Sequence, residues 1–233
     1  RAELLYGGGL RIYTTLDLNT QAQAEAAIAG RLPNPGFEGD PNDGSHDPDA
    51  ALVTIEPRSG YVKAMVGGKD YFGDTDYAKV NLAVGGGRPT GSSFKGITLA
   101  TALKQGIKAG DRFPSPSQTC FGNWCPSGGG GLGGSATLED CAAFSSNTCF
   151  AHLASRVLGP QKIRETAYDL GIGQNQLKER DGSVNATITL GTYNSTVMEM
   201  ASAYSTFANR GIRVDPVLVT RITKADGSVM YQN

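Results

Sequence analysis

Histidine is nearly absent from this chain, with only His46 and His152 among 233 residues. A Ser-His-Asp triad would have to use one of them. His46 sits among Ser45, Asp47 and Asp49 and reads as a solvated turn. His152 sits in an apolar helical pattern and reads as a core residue. Metal chemistry is equally poorly served. The four cysteines, Cys120, Cys125, Cys141 and Cys149, contain no C-x-x-C, and two histidines do not complete a ligand set. No metal and no cofactor is expected. Charge of one sign is also lacking: 21 Lys and Arg against 22 Asp and Glu leave a net −1. That gives no electrostatic footprint for nucleic acid or an anionic membrane. No run of 18 apolar residues occurs, so nothing reads as a membrane span, and the start does not read as a signal peptide. No internal repeat is visible. What remains is a globular composition, 39% hydrophobic and 18% charged, long enough for one substantial core.

Glycine, by contrast, is plentiful, with 32 residues clustered at 84–91 and 128–134. The second cluster follows no strand and opens no helix, so it reads as a flexible loop and not as a phosphate cradle. The first cluster leads into Ser92-Ser93-Phe94-Lys95, an S-x-x-K pattern followed by the helical stretch Ile97–Leu103. If Ser92 opens that helix, Ser92 and Lys95 share one face of its first turn. The positive helix terminus disfavours a second positive charge on Lys95. A neutral lysine there takes the serine proton, as acyl transfer requires when no histidine base exists. Ser93 is a rival nucleophile, but only Ser92 has a lysine three residues on. A second pattern, Ser145-Ser146-Asn147, reads S-x-N and lies between the helical stretches Leu138–Phe144 and Thr148–Ala154.

S-x-x-K followed about fifty residues later by S-x-N resembles the penicillin-recognising serine enzymes, whose third signature is K-[ST]-G. Other stretches narrow the likeness. Gly8–Asp17, Gly91–Lys95, Ser145–Thr148 and Met198–Asn209 resemble, in order and spacing, the transpeptidase domain of class A penicillin-binding proteins. The resemblance runs from about residue 7 to the end. It implies a peptidoglycan D,D-transpeptidase on the extracytoplasmic face of the bacterial plasma membrane, acylated by β-lactams. In it Ser92 is the nucleophile, Lys95 its base, Ser145 a proton relay, and Asn147 a ligand for the substrate's amide backbone. Stem peptides and β-lactams are the implied partners. The alternatives are a β-lactamase-like hydrolase, for which Glu165 has no supporting pattern, and a silent cell-wall scaffold. Two departures stand out: Gly96 occupies the place where the family usually has proline, and K-[ST]-G occurs nowhere in the 233 residues. The family's anchor and glycosyltransferase domain precede such an entry sequence, so a piece of a longer protein is expected. A second polypeptide, the C-terminal remainder of the same protein after cleavage, is expected to supply the K-[ST]-G strand.

Residues 1–46 read as an entry segment and 47–233 as the transpeptidase domain, incomplete at its C-terminal end. The fold class is α+β, an antiparallel sheet packed with helices. Residues 10–16 alternate as a short strand, and Thr20–Gln23 reads as the capping box of an alanine-rich helix ending near Gly30. Residues 51–56 and 61–66 form a hairpin whose first strand, nearly all apolar, is expected to be central. Residues 71–91 read as irregular, and 107–136 as a loop region pinned by two cysteines. Pro160 and Gly171 bracket a helix, Thr196–Glu199 is a capping box, and 217–222 with 228–231 form a second hairpin. The four cysteines allow three pairings. If the domain works outside the membrane, Cys120 with Cys125 and Cys141 with Cys149 are favoured, with free buried thiols as the alternative. Trp124 is then expected to pack beside a disulfide.

Overall fold

The structure is a computed structural model that describes residues 7–32, 49–68, 70–73, 78–128, 132–173 and 176–233. His46 and most of the expected loop at 33–49 lie outside them. In chain order the elements are β1 (Arg11–Thr14), α1 (Leu18–Arg31), β2 (Leu52–Ile55), β3 (Val62–Val66) and β4 (Arg88–Pro89). A 3₁₀ turn (Gly91–Phe94) then leads into α2 (Lys95–Lys104), followed by β5 (Arg112–Ser115), β6 (Gly134–Thr137), α3 (Leu138–Ala143) and α4 (Asn147–His152). A π-helical segment (Leu153–Leu158) follows, then α5 (Pro160–Asp169), a 3₁₀ turn (Ala186–Leu190) and β7 (Asn194–Ser195). The chain closes with α6 (Val197–Ala208), β8 (Val219–Thr223) and β9 (Val229–Gln232). The α+β class is as expected. The chain divides into two compact units, one combining residues up to Gly85 with Thr196–Asn233, the other Gly86–Ser195.

In the first unit β1, β8 and β9 form an antiparallel sheet in the order β1-β8-β9. The hairpin β2-β3 pairs Leu52 with Val66 and Thr54 with Ala64. The far edge of β3 is sealed by side chain and backbone. The Gln21 amide accepts from the Met65 N–H at 2.9 Å and donates to its carbonyl at 3.2 Å, while Asp17 N–H reaches the Lys63 carbonyl. Ala24 and Ile28 of α1 bury against Ala64 and Val66. Two expectations are corrected here. Among the described residues strand β2 is not central: only β3 pairs with it, and all four of its residues are half-buried. An apolar run reports burial, not how many edges are occupied. Helix α1 is capped three residues before the expected Thr20, because Asp17 accepts the Thr20 N–H at 2.8 Å and the helix begins at Leu18. The second capping box is present as expected, with Thr196 and Glu199 bonded reciprocally.

The second unit has the denser core. Phe94, Ile97, Leu138, Phe150, Leu153 and Ile163 are all fully buried. The stretch expected to be a loop, 107–136, contains instead the hairpin β5-β6, with Arg112 opposite Thr137. Both favoured disulfides are present, Cys120–Cys125 and Cys141–Cys149, the latter with Cα atoms 6.1 Å apart. Trp124 packs on Phe121, with ring centroids 5.9 Å apart, inside the loop that Cys120–Cys125 closes.

Candidate active site

The second unit brings both sequence patterns together. Ser92 does not open α2 as the spacing suggested. It sits in the 3₁₀ turn that precedes the helix, and Lys95 is the helix's first residue. The turn is held from outside by Gly191, which lies in the left-handed region at φ +68°. A Cβ on Gly191 would meet the Gly91 carbonyl oxygen at 2.2 Å, so only glycine lets the two backbones approach this closely. The Gly91 N–H in turn donates to the Gly191 carbonyl. Ser92 is exposed, whereas Ser93 donates its hydroxyl to the Thr90 carbonyl at 2.7 Å and serves the turn.

Lys95 is 5% exposed. Its Nζ donates to the Ser145 carbonyl at 2.6 Å, to Ser145 Oγ at 2.9 Å and to Asn147 Oδ1 at 2.6 Å. The Phe150 ring lies 5.6 Å below it. No carboxylate joins these partners, and burial pushes the lysine down to about 8. Three donated bonds suit an ammonium. A neutral amine has two N–H groups and a lone pair, so one bond must reverse on deprotonation. The carbonyl and the amide oxygen can only accept. Ser145 Oγ alone of the three can turn and donate to a neutral amine.

Ser145 itself stands at φ +51°, in the left-handed region. A serine there costs on the order of 1 kcal/mol or more and persists only where the surroundings fix it. Those surroundings are on both sides. Thr137 caps α3 and the chain leaves that helix at Phe144. Ser146, fully buried, caps α4 through Cys149 N–H. The Cys141–Cys149 bridge closes the turn beneath Ser145, Ser146 and Asn147.

All four residues predicted from sequence thus lie in one unit: Lys95 bonded to both Ser145 and Asn147, and Ser92 on the turn that leads into Lys95's helix. Sequence reading missed Gly191, whose role is to have no side chain. It also missed Ser146 as a cap, although a serine immediately before a short helical stretch is a readable signal. His152 is half-buried and packs against Phe121 at 6.5 Å between centroids, with no part in the Lys95 cluster. Glu165 is exposed on α5. Among the described residues no group of His, Cys, Asp and Glu could hold a metal, and no helix is long and apolar enough to cross a membrane.

Residues 50–233 match the family model described as the penicillin-binding protein transpeptidase domain. The chain is 34% identical to penicillin-binding protein 1A of Mycolicibacterium smegmatis, over 96% of this chain and 28% of that protein. It is 30% identical to penicillin-binding protein 2D of Bacillus subtilis, over 99% of this chain and 31% of that one. Among solved structures, PonA1 of Mycobacterium tuberculosis in complex with penicillin V superposes with a TM-score of 0.84 at 32% identity. That match covers all of this chain and 60% of the other. The chain therefore spans roughly a quarter to a third of the curated relatives and carries part of a penicillin-binding-protein fold.

Proposed function

The chain belongs to the penicillin-binding protein transpeptidase family, and from that premise we propose that it carries the nucleophile half of a peptidoglycan D,D-transpeptidase site. Residues 47–233 form the working domain and 1–46 lead into it. One observation carries the reading: Lys95 Nζ, buried and free of carboxylates, joins Ser145 and Asn147 one helical turn from Ser92.

Ser92 Oγ attacks the carbonyl carbon of the penultimate D-alanine, and its proton passes to Lys95 Nζ. The tetrahedral oxyanion takes a hydrogen bond from the Ser92 N–H, a device typically worth about 10²–10³ in rate. The C–N bond breaks, and the departing D-alanine amine takes its proton from Lys95 through the Ser145 hydroxyl. An amine of a second stem peptide then attacks the ester, gives its proton back along the same route, and frees Ser92. Asn147 donates to the substrate's amide carbonyl. A β-lactam enters by the same first step and leaves Ser92 acylated. The second oxyanion donor is assigned to a K-[ST]-G strand, a pattern that does not occur in these 233 residues. Two disulfides support an extracytoplasmic setting.

Labelling with a fluorescent penicillin, followed by peptide mapping, tests the reading. A stable adduct on the peptide containing Ser92 is expected. Rapid turnover would indicate the hydrolase, and no adduct in the complete protein would indicate the scaffold.

A further inference from the structure

The segment 115–128 touches the S-x-N turn at three points, and each contact has its own chemistry. From beneath, Ser115 Oγ lies 2.8 Å from Ser146 Oγ, and both residues are fully buried. Ser146 Oγ is also 3.3 Å from Thr148 Oγ1, and Thr148 donates to the Pro116 carbonyl at 2.7 Å. From outside, Asn147 Nδ2 donates to the Ser127 carbonyl at 3.0 Å. Between these points the segment folds into a small hairpin. Gln118 bridges Ser127, Phe121 bridges Trp124, and Cys120–Cys125 closes it. The hairpin's tip is anchored too. The Phe121 ring packs against His152 at the end of α4, and the Arg156 guanidinium lies 5.6 Å over that ring.

The direction of the Asn147 amide follows from its two neighbours. A backbone carbonyl can only accept and an ammonium can only donate. Ser127 therefore takes an N–H, and Lys95 takes Oδ1. One N–H of the amide remains for an incoming carbonyl. Once Lys95 is neutral, as its role as base requires, it can donate or accept, and the Ser127 carbonyl is then the neighbour that still excludes the flipped amide.

We propose that the disulfide-closed hairpin 118–127 is a positioning clamp for Asn147: its Ser127 carbonyl holds the amide's orientation, and so governs recognition of the amide carbonyl on the substrate. Cys120, Cys125 and Phe121 are positioning residues that act through Ser127 and touch no reacting atom. This rests on the transpeptidase reading above.

The test compares second-order acylation by two ligands in the complete natural protein. Penicillin V carries an acylamino group; 6-aminopenicillanic acid is the same nucleus without that amide. Opening the clamp with Cys120→Ser/Cys125→Ser is expected to slow penicillin V about tenfold and 6-aminopenicillanic acid less than twofold. A purely structural role would slow both alike. Equal losses, or no loss, overturn the clamp. Phe121→Ala keeps the disulfide and only releases the tip. It is expected to show the same ligand selectivity at about threefold, and it decides the matter if the double variant does not fold. Wild-type protein that reacts with neither ligand would sink the transpeptidase reading itself, and the clamp with it. Wild-type protein that reacts, with variants lacking the selectivity, would sink the clamp alone.

Discussion

The two units use similar elements and differ in how far each is closed upon itself. In Gly86–Ser195 the helices bury Phe94, Ile97, Phe150 and Leu153 completely, and the buried hydroxyls of Ser115 and Ser146, and of Thr98 and Thr189, are bonded in pairs. In the other unit, β1 and β9 are exposed at every residue and β2 is half-buried throughout. Ile12, Tyr13, Val229 and Tyr231 all stand in solvent there. A two- or three-stranded sheet with so little cover is marginal by itself. The contrast separates two tasks. Holding a buried lysine beside a strained serine needs many local constraints, and those never leave residues 86–195. Tying strands from both ends of the chain into sheets needs far less burial, and that is what the other unit does.

The sharpest test of that separation is Ser92→Ala. If the chemistry resides where the constraints are, no penicillin adduct forms in this variant, by fluorescence or intact mass. An undiminished adduct would move the nucleophile elsewhere. Next comes Lys95→Met, expected to slow acylation by on the order of 10³, within the range for loss of a positioned base. In the wild type the acylation rate should climb with pH through about 8 and level off above it, because the neutral amine is the base. A flat profile from pH 6 to 9 would remove Lys95 from that role. Stability carries the same sign. The folded lysine releases its proton near 8 and the unfolded one near 10.5, so the unfolded chain binds more protons between those values. Stability contributed by this group therefore rises across that window, by at most roughly 3 kcal/mol. Denaturant midpoints at pH 7.5 and pH 10 in the wild type and Lys95→Met would isolate it.

What the sequence disclosed follows the same division. The grouping of Lys95 with Ser145 and Asn147, on the helix that follows Ser92, was legible because these residues lie in side-chain patterns at short, fixed spacing. The two hairpins at 52–66 and 219–232 were legible from alternation and turn residues. What stayed hidden acts through the backbone. Ser127 contributes a carbonyl, which any residue would carry. Gly191 contributes the absence of a Cβ. Strands β5 and β6 read R-F-P-S and G-S-A-T, with few β-branched or aromatic residues, and so lacked strand propensity. Asp17 outcompeted Thr20 as a cap because both fit the pattern and the carboxylate is the better acceptor for the first turn's N–H groups.

Gly191→Ala probes how tightly the nucleophile turn is set. The added Cβ meets the Gly91 backbone and the Thr90 hydroxyl, and alanine is disfavoured at positive φ by about 1–2 kcal/mol. The turn before Ser92 must shift. Because displacements near 1 Å can cost about 10² in rate, acylation should fall by roughly that factor while the adduct still maps to Ser92. Acylation within twofold of wild type would show that the turn tolerates movement and that Ser92's placement is looser than the contact implies.

Thr15→Val completes the comparison from the other unit. The Thr15 hydroxyl lies 2.8 Å from the Val62 carbonyl and 2.7 Å from the Val217 carbonyl, and the residue is 6% exposed. It joins the start of β3 to the segment before β8, two stretches more than 150 positions apart in sequence. Valine keeps the shape and leaves both carbonyls without this donor. Val62 and Val217 retain their backbone bonds to one another's strand, so the loss should stay near 1–2 kcal/mol. Thermal melting should therefore begin several degrees earlier, and strand contacts in this unit should exchange amide hydrogens faster. Penicillin acylation should stay within twofold of wild type below the melt, since no bond of the Lys95 cluster passes through Thr15. A tenfold loss of acylation at full folding would break the division of labour, because it would show that the reactive geometry depends on a hydroxyl that only ties strands together.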